Sequence, residues 1–89
     1  MTLGPVGARM KQKLEDRLSP VELEVMDESS RHAGHAGSRP EGETHFAIKI
    51  TASVFAGLGP VQRHRLINEI LAEELSGPVH ALSISAKAP

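Results

Sequence analysis

Three stretches of this chain alternate apolar and polar residues, and each has a single apolar face. Val21-Glu22-Leu23-Glu24-Val25 turns Val21, Leu23 and Val25 to one side. Between Glu43 and Ala52, Phe46, Ile48, Ile50 and Ala52 share a side, opposite His45, Ala47, Lys49 and Thr51. From Val79 to Ala86, Leu82, Ile84 and Ala86 line up with His80. A period of two reads as half-buried strand. A sheet built from such strands buries one face and needs a layer of helices to cover it.

Two segments supply that layer. Val6, Met10, Leu14 and Leu18 recur every fourth residue, with charged residues between them, which predicts a narrow amphipathic helix. Ser19-Pro20 ends it, because a proline drives the preceding residue out of the α region. Gly57-Leu58-Gly59-Pro60 opens a second helix, with Gly59 as N-cap and Pro60 at the first helical position. Val61, Leu66, Ile67, Ile70, Leu71 and Leu75 give it a wide apolar face, and Gly77-Pro78 stops it.

The order helix, strand, strand, helix, strand predicts an α+β, two-layer α/β sandwich with a three-stranded mixed sheet. The first two strands pair antiparallel, and the last two are joined by a right-handed parallel crossover. Residues 1–5 read as a disordered tail and residues 6–89 as one domain. A long loop at about residues 28–42, rich in glycine and serine, interrupts it; a loop of that length in a small domain is usually functional or mobile.

With 89 residues, about 60–65% of the unfolded chain's surface can be buried, enough for one modest core. The net charge of −1 creates no global field toward nucleic acid or anionic lipid. The absence of cysteine excludes disulfides and any thiolate site made by this chain alone. The sequence shows no signal-peptide pattern and no apolar run of about 20 residues, so a cytoplasmic, non-membrane protein is expected.

Histidine is the remaining resource for chemistry, since imidazole ligates metals and titrates near neutrality. His32 and His35 stand at H-x-x-H spacing in the long loop, either as solvated residues or as ligands on a mobile arm. His80, just after Gly77-Pro78, is expected at the sheet rim. There it either packs beside Leu82 or serves as an exposed ligand on a rigid platform. His64 reads as a half-buried ring at the edge of the core, and His45 as a residue of the open sheet face, available to a partner. Glu41, Glu43, Glu69, Glu73 and Glu74 read as surface charges, with no pair set for acid–base work. No phosphate-binding glycine motif is present, so nothing points to an enzyme. Arg63-His64-Arg65, with Arg31, Arg39 and Lys49, forms a candidate basic patch for phosphate contact.

Several separated segments resemble the BolA family. They are Leu23-Glu24-Val25-Met26-Asp27-Glu28-Ser29 with Arg31-His32, Gly42-Glu43-Thr44-His45-Phe46, Phe55-Ala56-Gly57, Gln62-Arg63-His64-Arg65-Leu66, Ala72-Glu73-Glu74-Leu75 and Val79-His80-Ala81-Leu82. The resemblance runs from about Met10 to Pro89 and implies a fold like the class II KH arrangement. It does not imply RNA binding, because Gly57-Leu58-Gly59-Pro60 departs from the KH G-x-x-G loop. It further implies a monothiol glutaredoxin as partner and a bridging [2Fe–2S] cluster, with thiolates from a glutaredoxin cysteine and from glutathione. The isolated protein is then expected to hold no cofactor. The resemblance assigns His80 and a loop histidine as the ligands of this chain. His32 matches the family loop from its left, and His35 is the alternative, because this loop is longer than the usual form. Some family members are described as DNA-binding regulators of stress response and cell morphology, for which Arg63, His64 and Arg65 would be the contacts. A metal-free interaction module, docking on glutaredoxin through the open sheet face and the segment near His80, is the third reading.

Overall fold

The computed structural model describes residues 4–28 and 44–89. Helix α1 spans Pro5–Leu18, strand β1 Glu22–Asp27, strand β2 His45–Thr51, helix α2 Pro60–Ile70, helix α3 Ala72–Ser76 and strand β3 Ala81–Lys87; a short 3-10 turn covers Ser53–Phe55. The sheet order is β1-β2-β3, with β1 antiparallel and β3 parallel to the central β2. The α+β, two-layer architecture and the strand pairing are those read from the sequence.

The stripe on α1 buries Met10, Leu14 and Leu18. The helix begins one residue earlier than the periodicity suggests, since Pro5 is its first residue and not part of a tail. Ser19 stops it in the left-handed region (φ 45°), and its N–H donates to Glu15 O at 3.1 Å. Phe46, Ile48, Ile50 and Ala52 enter the core from β2 and the residue after it; Ile67, Leu71 and Val79 meet them from the crossover. Burying a side chain of this size contributes about 1.5–3 kcal/mol.

Two apolar residues assigned to the core lie outside it. Val21 and Val61 are each 64% exposed. Val21 precedes β1 and keeps only a backbone bond, its N–H donating to Thr51 O at 2.8 Å. Val61 sits in the first turn of α2, ahead of the buried stripe. The helix read as continuous to Gly77 also divides at Leu71 (φ −101°, ψ 17°), although the bonds from Leu71 N–H to Ile67 O and from Leu75 N–H to Leu71 O survive. Gly57, with φ 82°, turns the chain from the 3-10 segment toward α2, a conformation that favours glycine. Gln62 Oε1 accepts from Gly59 N–H at 2.9 Å and closes the start of α2.

Glu74 corrects the sequence reading most. It is not a surface charge: its side chain is 0% exposed. Arg9 Nε donates to Oε2 at 2.7 Å, and Lys13 Nζ donates to Oε2 at 2.8 Å and to Oε1 at 3.0 Å. Arg9 and Lys13, one turn apart, share a face of α1. Lys13 also reaches Glu73 at 3.2 Å. Burial pushes the Glu74 carboxyl up, but hydrogen bonds from Lys13 and Arg9 outweigh it and hold the group below its ordinary 4.5. The hydrogen bond to Glu74 is the main cause that raises Lys13 above its ordinary 10.5.

A depressed carboxyl stabilises the fold above its unfolded pKa and ceases to do so as pH falls through the folded value. Stability should therefore decline below pH 4.5, in the range where Glu74 protonates. Glu74→Gln should lose about 1–3 kcal/mol at neutral pH, the lower part of the range reflecting half-exposed partners. It should also flatten that acid limb. Urea unfolding as a function of pH measures both, and an unchanged acid limb in the variant would assign the loss to other carboxylates.

Candidate functional site

The histidine-bearing rim is built by the heads of β2 and β3. Thr44, just before β2, accepts at its carbonyl from two successive N–H groups, His80 at 2.7 Å and Ala81 at 3.1 Å. Val79, 2% exposed, anchors the chain in the core immediately before His80. Val79 N–H donates to Glu74 O at 3.0 Å, so the approach to His80 is fixed from α3 as well. The His80 ring itself is exposed. His80 thus stands at the rim, as the sequence suggested, held on both sides by backbone bonds.

His45 is not a residue of an open face. It is only 7% exposed, and its Nδ1 lies 2.8 Å from the hydroxyl of buried Thr44. Its ring stands 5.4 Å from that of His80, centroid to centroid, tilted by 53°. His45 at the head of β2 is thus buried, whereas Lys49 on the same face is exposed. His80 is therefore the accessible residue of the pair and His45 the buried one. Among the described residues no three His, Cys, Asp or Glu side chains come together as a metal site.

His32 and His35 lie outside the described residues, as do Arg31 and Arg39. The tethers of their segment are defined, however. Glu28 N–H donates to His45 O at 2.8 Å, and Thr44 carries the bonds to His80 and Ala81. The segment between Glu28 and Thr44 thus leaves and rejoins the fold beside His45 and His80.

The basic triplet of α2 divides. Arg63 turns toward the sheet: Nη1 donates to Ala86 O at 3.0 Å and the guanidinium lies 6.0 Å from the centroid of the buried Phe55 ring. Its Nε is buried and has no hydrogen-bond partner among the described residues. Arg63 is half-buried and links α2 to β3 through its side chain. His64 is exposed and does not cap the core; Arg65 is exposed too. Lys49 projects from the uncovered sheet face, opposite the face that α2 covers, so it does not join Arg63 and Arg65 in one patch.

Sequence reasoning missed two participants. Glu74 follows Ile67 and Leu71 at the spacing of one helical stripe, which placed it on the buried face. For His45 the period of two gave the correct side of the strand, but nothing in the alternation shows that the strand's head is covered.

Comparison with known proteins gives a consistent picture. Residues 14–89 match the family model for BolA-like protein. The chain is 55% identical over 86 residues to BolA-like protein 1 of Mus musculus, covering 97% of this chain and 60% of that protein. It is 50% identical over 93 residues to SufE-like protein 1 of Arabidopsis thaliana, covering 100% of this chain and 25% of that one. The chain therefore spans about 60% of the length of the BolA-like relatives it matches. Among solved structures it is similar to the BolA domain of SufE1 from Arabidopsis thaliana, with TM-score 0.90, 51% identity and coverage of 99% and 96% of the two chains. For BolA1 of Mus musculus the TM-score is 0.82, at 46% identity and 100% and 69% coverage.

The two arginines of α2 should separate by stability. Arg63→Met should cost about 0.5–1.5 kcal/mol through the lost bond to Ala86, while Arg65→Met should stay within about 0.5 kcal/mol of the parent. Chemical denaturation measures both, and equal effects would remove Arg63 from its structural role.

Proposed function

The chain belongs to the BolA-like protein family, and on that footing we propose that it is a non-catalytic partner of a monothiol glutaredoxin. With it the chain shares a [2Fe–2S] cluster, for iron–sulfur trafficking or iron-dependent regulation in the cytoplasm. The observation that carries this reading is the placement of His80. It is an exposed imidazole on a fixed backbone, at the rim from which the segment bearing His32 and His35 departs and to which it returns.

The residues fit a shared cluster better than a private one. This chain has no cysteine, and its described residues form no complete metal site. Any thiolates then come from outside this chain, and the family resemblance implies a glutaredoxin cysteine and glutathione as their source. His80 is one ligand and His32 the second, with His35 as the alternative. His45, whose Nδ1 lies 2.8 Å from the Thr44 hydroxyl, stands with its ring 5.4 Å from that of His80. Imidazole in place of thiolate on one iron gives a [2Fe–2S] centre a higher potential.

A DNA-binding role through α2 would rest on Arg65 and His64 alone, since Arg63 is engaged with Ala86. Among the described residues no helix is long and apolar enough to cross a membrane.

The test is reconstitution with a monothiol glutaredoxin, glutathione, iron and sulfide, followed by visible absorption and circular dichroism. A spectrum distinct from that of the glutaredoxin alone should form, and His80→Ala should abolish it without changing the far-ultraviolet spectrum. A mixed-ligand spectrum that survives in His80→Ala would exclude His80 as a ligand. Equally tight glutaredoxin binding with and without cluster would favour a metal-free docking role.

A further inference from the structure

β3 is an edge strand, with β2 on one side only. Its odd-numbered residues turn their peptide groups to β2: Ala81 N–H donates to Thr44 O, and Lys87 O accepts from Ala52 N–H. Peptide groups alternate in direction along a strand, so those of Leu82, Ile84 and Ala86 face outward. Among the described residues, only the Ala86 carbonyl of that outward row has a partner, Arg63 Nη1 at 3.0 Å. Exposed edges are usually guarded by charges, prolines or bulges. The other edge, β1, bears Glu22, Glu24 and Asp27. From Ala81 to Ala86, β3 has no charge and no proline, and its register with β2 runs without a bulge. The bond from Arg63 to Ala86 also sets that margin of α2 beside the edge. Leu66 and Ile70 follow Arg63 at helical spacing, and both are half-buried, as are Leu82 and Ile84.

We propose that this edge pairs with the same edge of a second copy, antiparallel and twofold-symmetric, joining two three-stranded sheets into one of six strands. The sequence of β3 is self-complementary when the axis passes at Ser83. Leu82 then exchanges main-chain bonds with Ile84 of the second copy, and Ile84 with its Leu82. Ser83 stands opposite Ser83 of the second copy, and Ala81 opposite its Ser85. Small side chains thus meet on the open face and large apolar ones on the covered face. The Ala86 carbonyl lies outside this ladder, so its bond to Arg63 is kept. Charge favours this pairing over the others. No like charges meet in it, because Lys87 falls beyond the paired stretch. Two β1 edges would set acids against acids, and β1 against β3 is a head-to-tail contact that does not close. The axis is normal to the sheet, so both α2 helices lie on one side of it, with Leu66 and Ile70 next to the seam. A seam this short makes a weak interface, formed at high concentration. The inference concerns the metal-free protein and does not rest on the cluster.

The chain has no cysteine, so a single introduced thiol reports one position. In the full, metal-free chain oxidised with diamide, Ser83→Cys should form a disulfide-linked dimer about tenfold faster than Ala81→Cys or Ser85→Cys alone, because a disulfide needs its two Cα atoms within about 7 Å. Ala81→Cys mixed with Ser85→Cys should cross-link faster than either by itself. In the ¹⁵N-labelled parent, raising the protein concentration should shift the amides of Leu82 and Ile84 and slow their hydrogen exchange. Ser83→Glu changes an exposed side chain and sets like charges across the axis. It should weaken the dimer about fivefold by sedimentation. Equal cross-linking at the three positions, or concentration-dependent shifts confined to β1 or to the open sheet face, would overturn the proposal. So would a parent chain that stays monomeric, with unshifted amides, at millimolar concentration.

Discussion

A carboxylate removed from water is costly unless charged donors surround it, and the way this chain meets that requirement at Glu74 orders much of the molecule. Both oxygens of Glu74 are taken by Arg9 and Lys13 of α1. The two helices farthest apart in sequence are thereby fixed against each other. The carbonyl of the same residue accepts from Val79 N–H. Val79 in turn is buried, and the next two N–H groups close on Thr44. A continuous chain of contacts thus runs from α1 through Glu74 to the head of β3, with His80 at its end. The backbone that carries exposed His80 is thus linked to an ion cluster whose carboxylate is buried and whose cations are partly exposed, which ties local electrostatics to the geometry of the rim.

The sheet and its helical cover were legible because they rest on periodicity. Alternation in β2 placed Phe46, Ile48 and Ile50 in the core, and the four-residue repeat placed Met10, Leu14 and Leu18 there. Pro60 and Gly77 marked the limits of the crossover helices. Periodicity reports which side a residue takes and says nothing of how far along the element the cover extends. That is why Val21 and Val61 were assigned to the core although each lies just beyond it, and why His45 was assigned to solvent although the head of β2 is enclosed. Glu74 failed for a different reason. Its position satisfied the helical stripe, but its charge argued for the surface, and the two cations that reconcile these facts lie 65 and 61 residues away in the chain. Pairing over such a distance has no local signature.

Arginine identity was similarly unreadable without the fold. Arg63 and Arg65 are two residues apart in one triplet, and in a helix that separation places side chains on different faces. Arg63 spans to Ala86 and lies near Phe55, while Arg65 faces water. A cluster of bases in sequence is therefore not a cluster in space, and Lys49, on the opposite side of the sheet, is farther still from joining it.

The placement of His80 has one more consequence. A ligand on a long loop must be ordered when it binds, which costs conformational entropy. A ligand at the head of a strand is ordered already. On the proposed reading His80 is of the second kind, with its N–H held by the Thr44 carbonyl, and the described residues Glu28 and Thr44 that flank the segment of His32 and His35 bond beside it. A rigid first contact reduces the ordering left to any second one. On the proposed reading, a residue at the head of a strand offers a partner a first contact on backbone that is already ordered.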